Sequence, residues 1–174
     1  MSDERLEVLL DAGQISRRVA ELGDEISRDY RGKNLLLLCV LRGAVIFLAD
    51  LVRSLSIEAE IGFIAAKSYD GDSSAGKVEF SPIVGVEITS KDVLIIEDIF
   101  DTGLTYRALQ KELSVFEPAE IRLCALLDKP STRRKQAVEP DYAGFTVPDR
   151  FVVGYGLDYR EKYRRLKDIC MLET

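Results

Sequence analysis

The sequence predicts an α/β fold with a central, mostly parallel sheet flanked by helices, and three observations predict it. Near-continuous apolar runs, Asn34 to Leu41, Val93 to Ile96 and Glu120 to Leu127, have the character of strands buried on both faces. Segments of helical spacing lie before and between them, the succession that parallel pairing requires. Charged and small residues follow several of the apolar runs at once, as expected where strands end at a crevice along the sheet's carboxyl edge.

Taken in order, Glu7 to Leu10 reads as a short strand. Asp11 with Gln14 forms a capping-box pattern, and Ile15, Val19, Leu22, Ile26 and Tyr30 then fall on one helical face, with Gly32 ending the helix. Asn34 to Leu41 is a buried strand. Arg42, Gly43 and Ala44 turn into a helix over Val45 to Leu55, whose apolar side chains suit either the core or an interface. Ile57 to Ala66 is the next strand. Ser68 to Lys77 is rich in Gly, Ser and Asp without apolar periodicity, so it reads as an exposed hairpin loop or a lid. Val78 to Val86 returns as a strand. Val93 to Ile96 follows, and the abrupt acids Glu97 and Asp98 imply that it stops at a wet edge. A helix runs from Leu104 to Val115, and Glu120 to Leu127 is a further buried strand leading to Asp128, Lys129 and Pro130. Arg133, Arg134 and Lys135 read as a solvated face.

At 174 residues the chain has the size of one domain with a substantial core. Its net charge of −6 and acidic composition argue against general nucleic-acid binding. No apolar run approaches the ~18 residues of a membrane helix, and the start of the chain lacks the apolar stretch of a signal peptide, so a cytoplasmic location is expected. Of the three cysteines, Cys39 and Cys124 sit in apolar runs and read as buried thiols. There is no histidine, which excludes Ser-His-Asp and Cys-His catalysis and His-ligated zinc. Chemistry here must draw on carboxylates, Lys, Arg, hydroxyls and backbone amides, with a hard metal ion as an open option.

The stretch Val93 to Thr105, VLIIEDIFDTGLT, concentrates that chemistry. Asp101, Thr102, Gly103, Leu104 and Thr105 form a small-residue turn opening a helix. Such a turn offers backbone N–H groups to an anion, with Thr hydroxyls as further donors. Glu97 and Asp98 cannot grip a phosphate, but they suit sugar hydroxyls or a magnesium ion. Asp101 beside an anion makes sense if it faces the reacting centre. Phosphate, hydroxyls and a hard cation together imply a phosphorylated sugar. The other strand-end turns, Leu41 to Gly43, Asp128 to Lys129 and Phe151 to Asp158, are placed to surround the same crevice.

EDIFDTGLT resembles the phosphoribosyl pyrophosphate motif of the type I phosphoribosyltransferases, in its hypoxanthine-guanine branch. VLRGA (Val40 to Ala44) is similar to that family's pyrophosphate loop, and SYDG (Ser68 to Gly71) to the start of its lid. LLDKP (Leu126 to Pro130) and VPDRFVVGYGLDYREKYRRL (Val147 to Leu166) resemble its purine-binding segments. The resemblance implies a single domain over 1–174, with a small hood formed by the chain termini and a flexible lid that includes Ser68 and Tyr69. It implies transfer of a phosphoribosyl group from phosphoribosyl pyrophosphate to hypoxanthine or guanine, with Mg²⁺ as cofactor and a homodimer or homotetramer as the assembly. Nucleic acid and membrane are not expected partners. Under that resemblance Asp101 is the general acid/base at purine N7. Glu97 and Asp98 hold ribose hydroxyls and, with Asp158, the metal, and Asp101 to Thr105 cradle the 5′-phosphate. Arg42, Gly43 and Arg164 receive pyrophosphate, and the Leu41–Arg42 peptide is cis in many members. Lys129 donates to purine O6, Phe151 stacks on the base, the Val152 backbone reads its edge and Asp158 lies beside it.

Read alone, Lys129 is a surface lysine, Phe151 a core residue, and Arg160 to Lys167 a solvated face. Three departures from the family pattern stand out. Arg42 replaces a lysine found in many members, Phe100 an aliphatic residue and Gly156 an alanine, the last two at positions expected not to touch the chemistry. Two rival readings are a xanthine-preferring transferase and an RNA-binding regulator of the same fold. The acidic pI of about 4.9 disfavours the second.

Overall fold

The computed structural model describes residues 5–68, 78–130 and 138–173. The body is a six-stranded sheet ordered β4-β3-β2-β5-β6-β7, comprising β2 (Leu35–Leu41), β3 (Glu60–Ser68), β4 (Val78–Phe80), β5 (Asp92–Phe100), β6 (Glu120–Asp128) and β7 (Tyr142–Thr146). All neighbours are parallel except β3 and β4. The sheet is therefore mostly parallel, as the apolar runs predict.

Strand alternation divides the core. Leu35, Leu37, Cys39, Leu94 and Ile96 face α1 (Ala12–Asp29) and α2 (Val45–Ser54). Leu36, Leu38, Val93, Ile95, Leu123 and Ala125 face α3 (Leu104–Ser114). Both faces are covered, which is why these strands carry no polar alternation. The three cysteines are buried thiols. Burial lifts all three above the usual thiol range, consistent with inert core residues.

The Asp11–Gln14 capping box forms as read, with both reciprocal bonds at 2.9 Å. The helix stops at Asp29, and Gly32, at φ +77°, makes the left-handed turn that follows. In α2 one face buries Phe47, Leu48 and Leu51, while Val45 and Ile46 stay exposed.

The chain termini build a separate three-stranded antiparallel sheet, β1-β9-β8, from β1 (Arg5–Leu10), β8 (Val152–Val153) and β9 (Ile169–Glu173). This is the expected hood. Val152, Tyr155, Leu157 and Ile169 join it to the α1/α2 core, and the Ala12 amide donates to Asp168 Oδ1 at 2.8 Å.

Three expectations are corrected. The strand expected over Val78 to Val86 stops at Phe80. Pro82 and Gly85 interrupt it, leaving only a bridge between Phe63 and Val84. The strand containing Val93 to Ile96 does not end before the acids. It runs to Phe100 in constant register, with Glu97 opposite Ala125 and Phe100 opposite Asp128. The third strand begins at Glu60 rather than Ile57. Most of the proposed lid and the Arg133 to Lys135 triplet lie outside the described residues. No helix among the described residues is long and apolar enough to cross a membrane.

Candidate active site

Three parallel strands deliver their carboxyl ends to one edge. β2 ends at Leu41 and is followed by Arg42, β5 carries Asp98 near its end at Phe100 and is followed by Asp101, and β6 ends at Asp128 and is followed by Lys129. The hood leans over that edge from the other side. Between them lies a cleft of about 410 Å³ whose walls include Arg42, Gly43, Asp98, Lys129, Phe151, Val152, Asp158 and Arg164. Eight candidates drawn from four separated segments of the sequence thus meet at one place.

The β2–α2 turn is tight. The Leu41–Arg42 peptide is cis. A Cβ added to Gly43 would sit 1.6 Å from Asp98 Oδ2, so the turn passes directly against that carboxylate. Gly156 closes the same region from the hood. Its φ is +99°, and a Cβ there would lie 2.4 Å from the Gly43 carbonyl oxygen. The expectation that Gly156 stands clear of the chemistry is therefore corrected, since it seats the hood loop on the Arg42–Gly43 turn. Arg164 Nη1 donates to the Gly156 carbonyl at 2.8 Å and fastens that contact.

Asp98 is held by the Ile99 amide, which donates to Oδ1 at 2.9 Å. Burial raises its carboxyl above the ordinary range and the charge of Asp158 adds to this; the backbone donors and Arg164 oppose it. Glu97 takes the opposite face of β5. It does not line the cleft. It lies on the α3 side with Val93 and Ile95, 4% exposed, and its Oε1 has no hydrogen-bond partner. The expected wet edge is thus dry at this position, because β5 stays paired beyond it. Desolvation, reinforced by Asp98, pushes the Glu97 carboxyl up to about 8.

That shift makes a stability prediction. Between the ordinary value of 4.5 and about 8 the folded protein keeps a proton that the unfolded chain has lost. Stability then falls as pH rises through this window. Glu97→Gln removes the titration, so its Tm should decline less than that of the wild type from pH 5 to pH 8.5, by the equivalent of a few kcal/mol. Parallel Tm-versus-pH curves for the two proteins would refute the assignment.

Lys129 is not a surface lysine. It is 8% exposed, its Nζ stands 3.7 Å from Asp149 Oδ1, and its amide donates to the Phe100 carbonyl at 2.9 Å. That last bond places Lys129 beside the residue preceding Asp101. Phe151 is not core either. It is 53% exposed at the cleft, braced edge-on by Tyr159 at 5.5 Å, so its ring face is available to a planar ligand. Val152 is buried in β8.

Beyond Asp98 the chain turns through Asp101 and Thr102 to Gly103, which caps α3 at φ +77°. Thr102 Oγ1 accepts from the Leu104 amide at 3.4 Å. Leu104 and Thr105 form the first turn of the helix, where N–H groups without intrahelical carbonyl partners point outward and suit an anion. Ser68 ends β3, and Tyr69 lies outside the described residues.

Two cleft-side residues escaped the sequence reading. Asp149 faces Lys129. Glu161 lines the cleft, and its carboxylate meets both Arg42 and Arg164. Nothing in the pattern REKYRR marks Glu161, because its orientation comes from a turn. Among the described residues no three His, Cys, Asp or Glu side chains converge as a preformed metal cage.

A parallel sheet with cations, carboxylates and an anion-binding helix start at its carboxyl edge defines an α/β protein built for a phosphorylated ligand. The comparisons with known proteins narrow the class. The family model for the phosphoribosyl transferase domain matches residues 6–160. The chain is 44% identical over 173 residues to the hypoxanthine-guanine phosphoribosyltransferase of Mycobacterium tuberculosis (strain H37Rv), covering 95% of this chain and 85% of that one. It is 38% identical to the hypoxanthine-guanine-xanthine phosphoribosyltransferase of Tritrichomonas foetus, covering 99% and 94%. The crystal structure of a hypoxanthine-guanine phosphoribosyltransferase from Bacillus anthracis superposes with a TM-score of 0.90 at 40% identity, covering 98% and 99%. The chain belongs to the phosphoribosyltransferase family.

Proposed function

We propose that this protein salvages purines by transferring the 5-phosphoribosyl group of phosphoribosyl pyrophosphate to N9 of hypoxanthine or guanine, releasing pyrophosphate. The observation that carries the reading is the meeting of Lys129 and Phe151 with Arg42, Gly43 and Arg164 in one cleft. A cation beside an exposed ring suits a flat 6-oxo base. Two guanidiniums and a tight backbone turn suit a diphosphate leaving group.

Asp101 to Thr105 hold the 5′-phosphate at the start of α3. Asp101 serves purine N7, starting from a backbone position adjacent to that of Lys129. Mg²⁺ fits the remaining donors. Asp98 and Asp158 line the same cleft, and magnesium is commonly held by one or two carboxylates with water and substrate oxygens completing its shell. Asp158 Oδ1 meets Arg164 and Oδ2 accepts from the Glu161 amide, and a carboxylate oxygen with two lone pairs can also meet a cation. Glu97 is left out of that pair because it is buried on the opposite face of β5 and does not line the cleft. When bound, magnesium offsets charge developing on the departing pyrophosphate.

The test is an absorbance assay with phosphoribosyl pyrophosphate, Mg²⁺ and each of hypoxanthine, guanine, xanthine and adenine. Nucleotide should form with hypoxanthine, guanine or both, and failure with both would end the proposal. Xanthine belongs in the panel because the Tritrichomonas foetus relative is named for it. In the same assay Lys129→Gln should reduce discrimination of hypoxanthine over adenine about 10- to 100-fold, matching ~1.5–3 kcal/mol for a hydrogen bond from a charged donor. An unaltered ratio would remove Lys129 from base selection.

A further inference from the structure

We propose that Glu161 is an internal stand-in for the pyrophosphate group. It holds Arg42 and Arg164 in its absence and competes with it for them. The inference rests on the pyrophosphate role proposed above for those two arginines.

One carboxylate bridges both cations. Glu161 Oε1 lies 2.5 Å from Arg42 Nη2, and Oε2 lies 3.2 Å from Arg164 Nη2. Those cations come from the body of the fold and from the hood, 122 positions apart in the chain (164 − 42). An anion with oxygens on both sides is what the pair is arranged to receive, and Glu161 presents that geometry from within the protein. It does so inside the cleft.

The local backbone is specialised for this placement. Tyr159 and Lys162 exchange backbone hydrogen bonds at 3.2 and 3.0 Å, closing a two-residue hairpin. Its two central residues, Arg160 and Glu161, have φ of +52° and +62°. Such a turn ordinarily takes Asn-Gly, because L side chains avoid positive φ. Here both positions carry long charged side chains. The Glu161 amide donates to Asp158 Oδ2 at 2.9 Å, and Arg164 Nη2 also contacts Asp158 Oδ1 at 2.8 Å. The turn is therefore tied to the residues of the site.

The contact is built to exchange. The Glu161 and Arg42 side chains are 60% and 68% exposed, so water and salt screen their attraction. A diphosphate carries more charge and more oxygens than a carboxylate and would displace it. After transfer, return of Glu161 to the arginines would favour departure of the product.

The experiment measures pyrophosphate binding to the full chain by calorimetry at fixed Mg²⁺, beside the turnover assay. Glu161→Gln keeps the shape and removes the charge. Glu161→Asn removes the charge and favours the turn. Both should bind pyrophosphate about 3- to 10-fold more tightly than the wild type and lower the KM for phosphoribosyl pyrophosphate in the same direction. The gain should shrink at high ionic strength. Variants that bind pyrophosphate equally or more weakly, in a wild-type background that turns over, would overturn this inference alone. A wild type that neither forms nucleotide nor binds pyrophosphate would defeat the functional reading and this inference with it.

Discussion

Asp101→Asn should lower kcat at least ~10²-fold, the scale on which a positioned acid or base contributes. Asp101 follows the last residue of β5, and the carbonyl of that residue accepts the Lys129 amide at 2.9 Å. The two groups proposed to hold the base thus start from neighbouring backbone positions. Each reads a different atom of it. Asn preserves size and one acceptor but cannot shuttle a proton. The loss should therefore fall on kcat, with the KM for phosphoribosyl pyrophosphate changing less than about threefold. Steady-state kinetics with hypoxanthine decides the matter: an unchanged kcat would remove Asp101 from proton transfer, and a loss confined to KM would make it a binding group.

Gly43→Ala should be comparably severe for a different reason. A methyl group there would overlap the Asp98 carboxylate, with Oδ2 at 1.6 Å and Cγ at 2.7 Å. Asp98 is fixed by the Ile99 amide and hemmed in by the core, so it cannot swing aside without leaving its donor. The turn must move instead, carrying Arg42 with it and breaking the seat of Gly156 on the Gly43 carbonyl. Misplacement by about 1 Å can cost on the order of 10²-fold in rate. We expect kcat/KM for phosphoribosyl pyrophosphate to fall by ~10² or more while Tm falls only modestly. Full activity in Gly43→Ala would show that the turn has slack the structure does not display.

The strands were readable because a strand buried on both faces leaves an unbroken apolar run. The capping box was readable because both partners lie within one helical turn. The short strands were not. β7 and β9 were missed because Tyr142–Thr146 and Ile169–Glu173 are too brief for periodicity to separate them from loop. Residue types and strand-end positions sufficed to nominate Arg42, Asp98, Lys129, Phe151 and Arg164. They could not orient Glu97, since adjacent residues on a strand point to opposite faces. Its place on the dry side follows from pairing with Ala125, a long-range contact.

By itself, then, the sequence determined an α/β chain with a mostly parallel sheet, an anion-binding turn after its central strand, and chemistry confined to carboxylates and cations by the lack of histidine. These are local matters of side-chain type and spacing. Only the tertiary structure decided which carboxylate faces the cleft, that Gly156 rests on Gly43, that Lys129 is buried beside Asp149, and that Glu161 spans two arginines from different parts of the fold. Each of these depends on register, a close backbone approach or a positive φ, and such features arise only when distant segments are packed together.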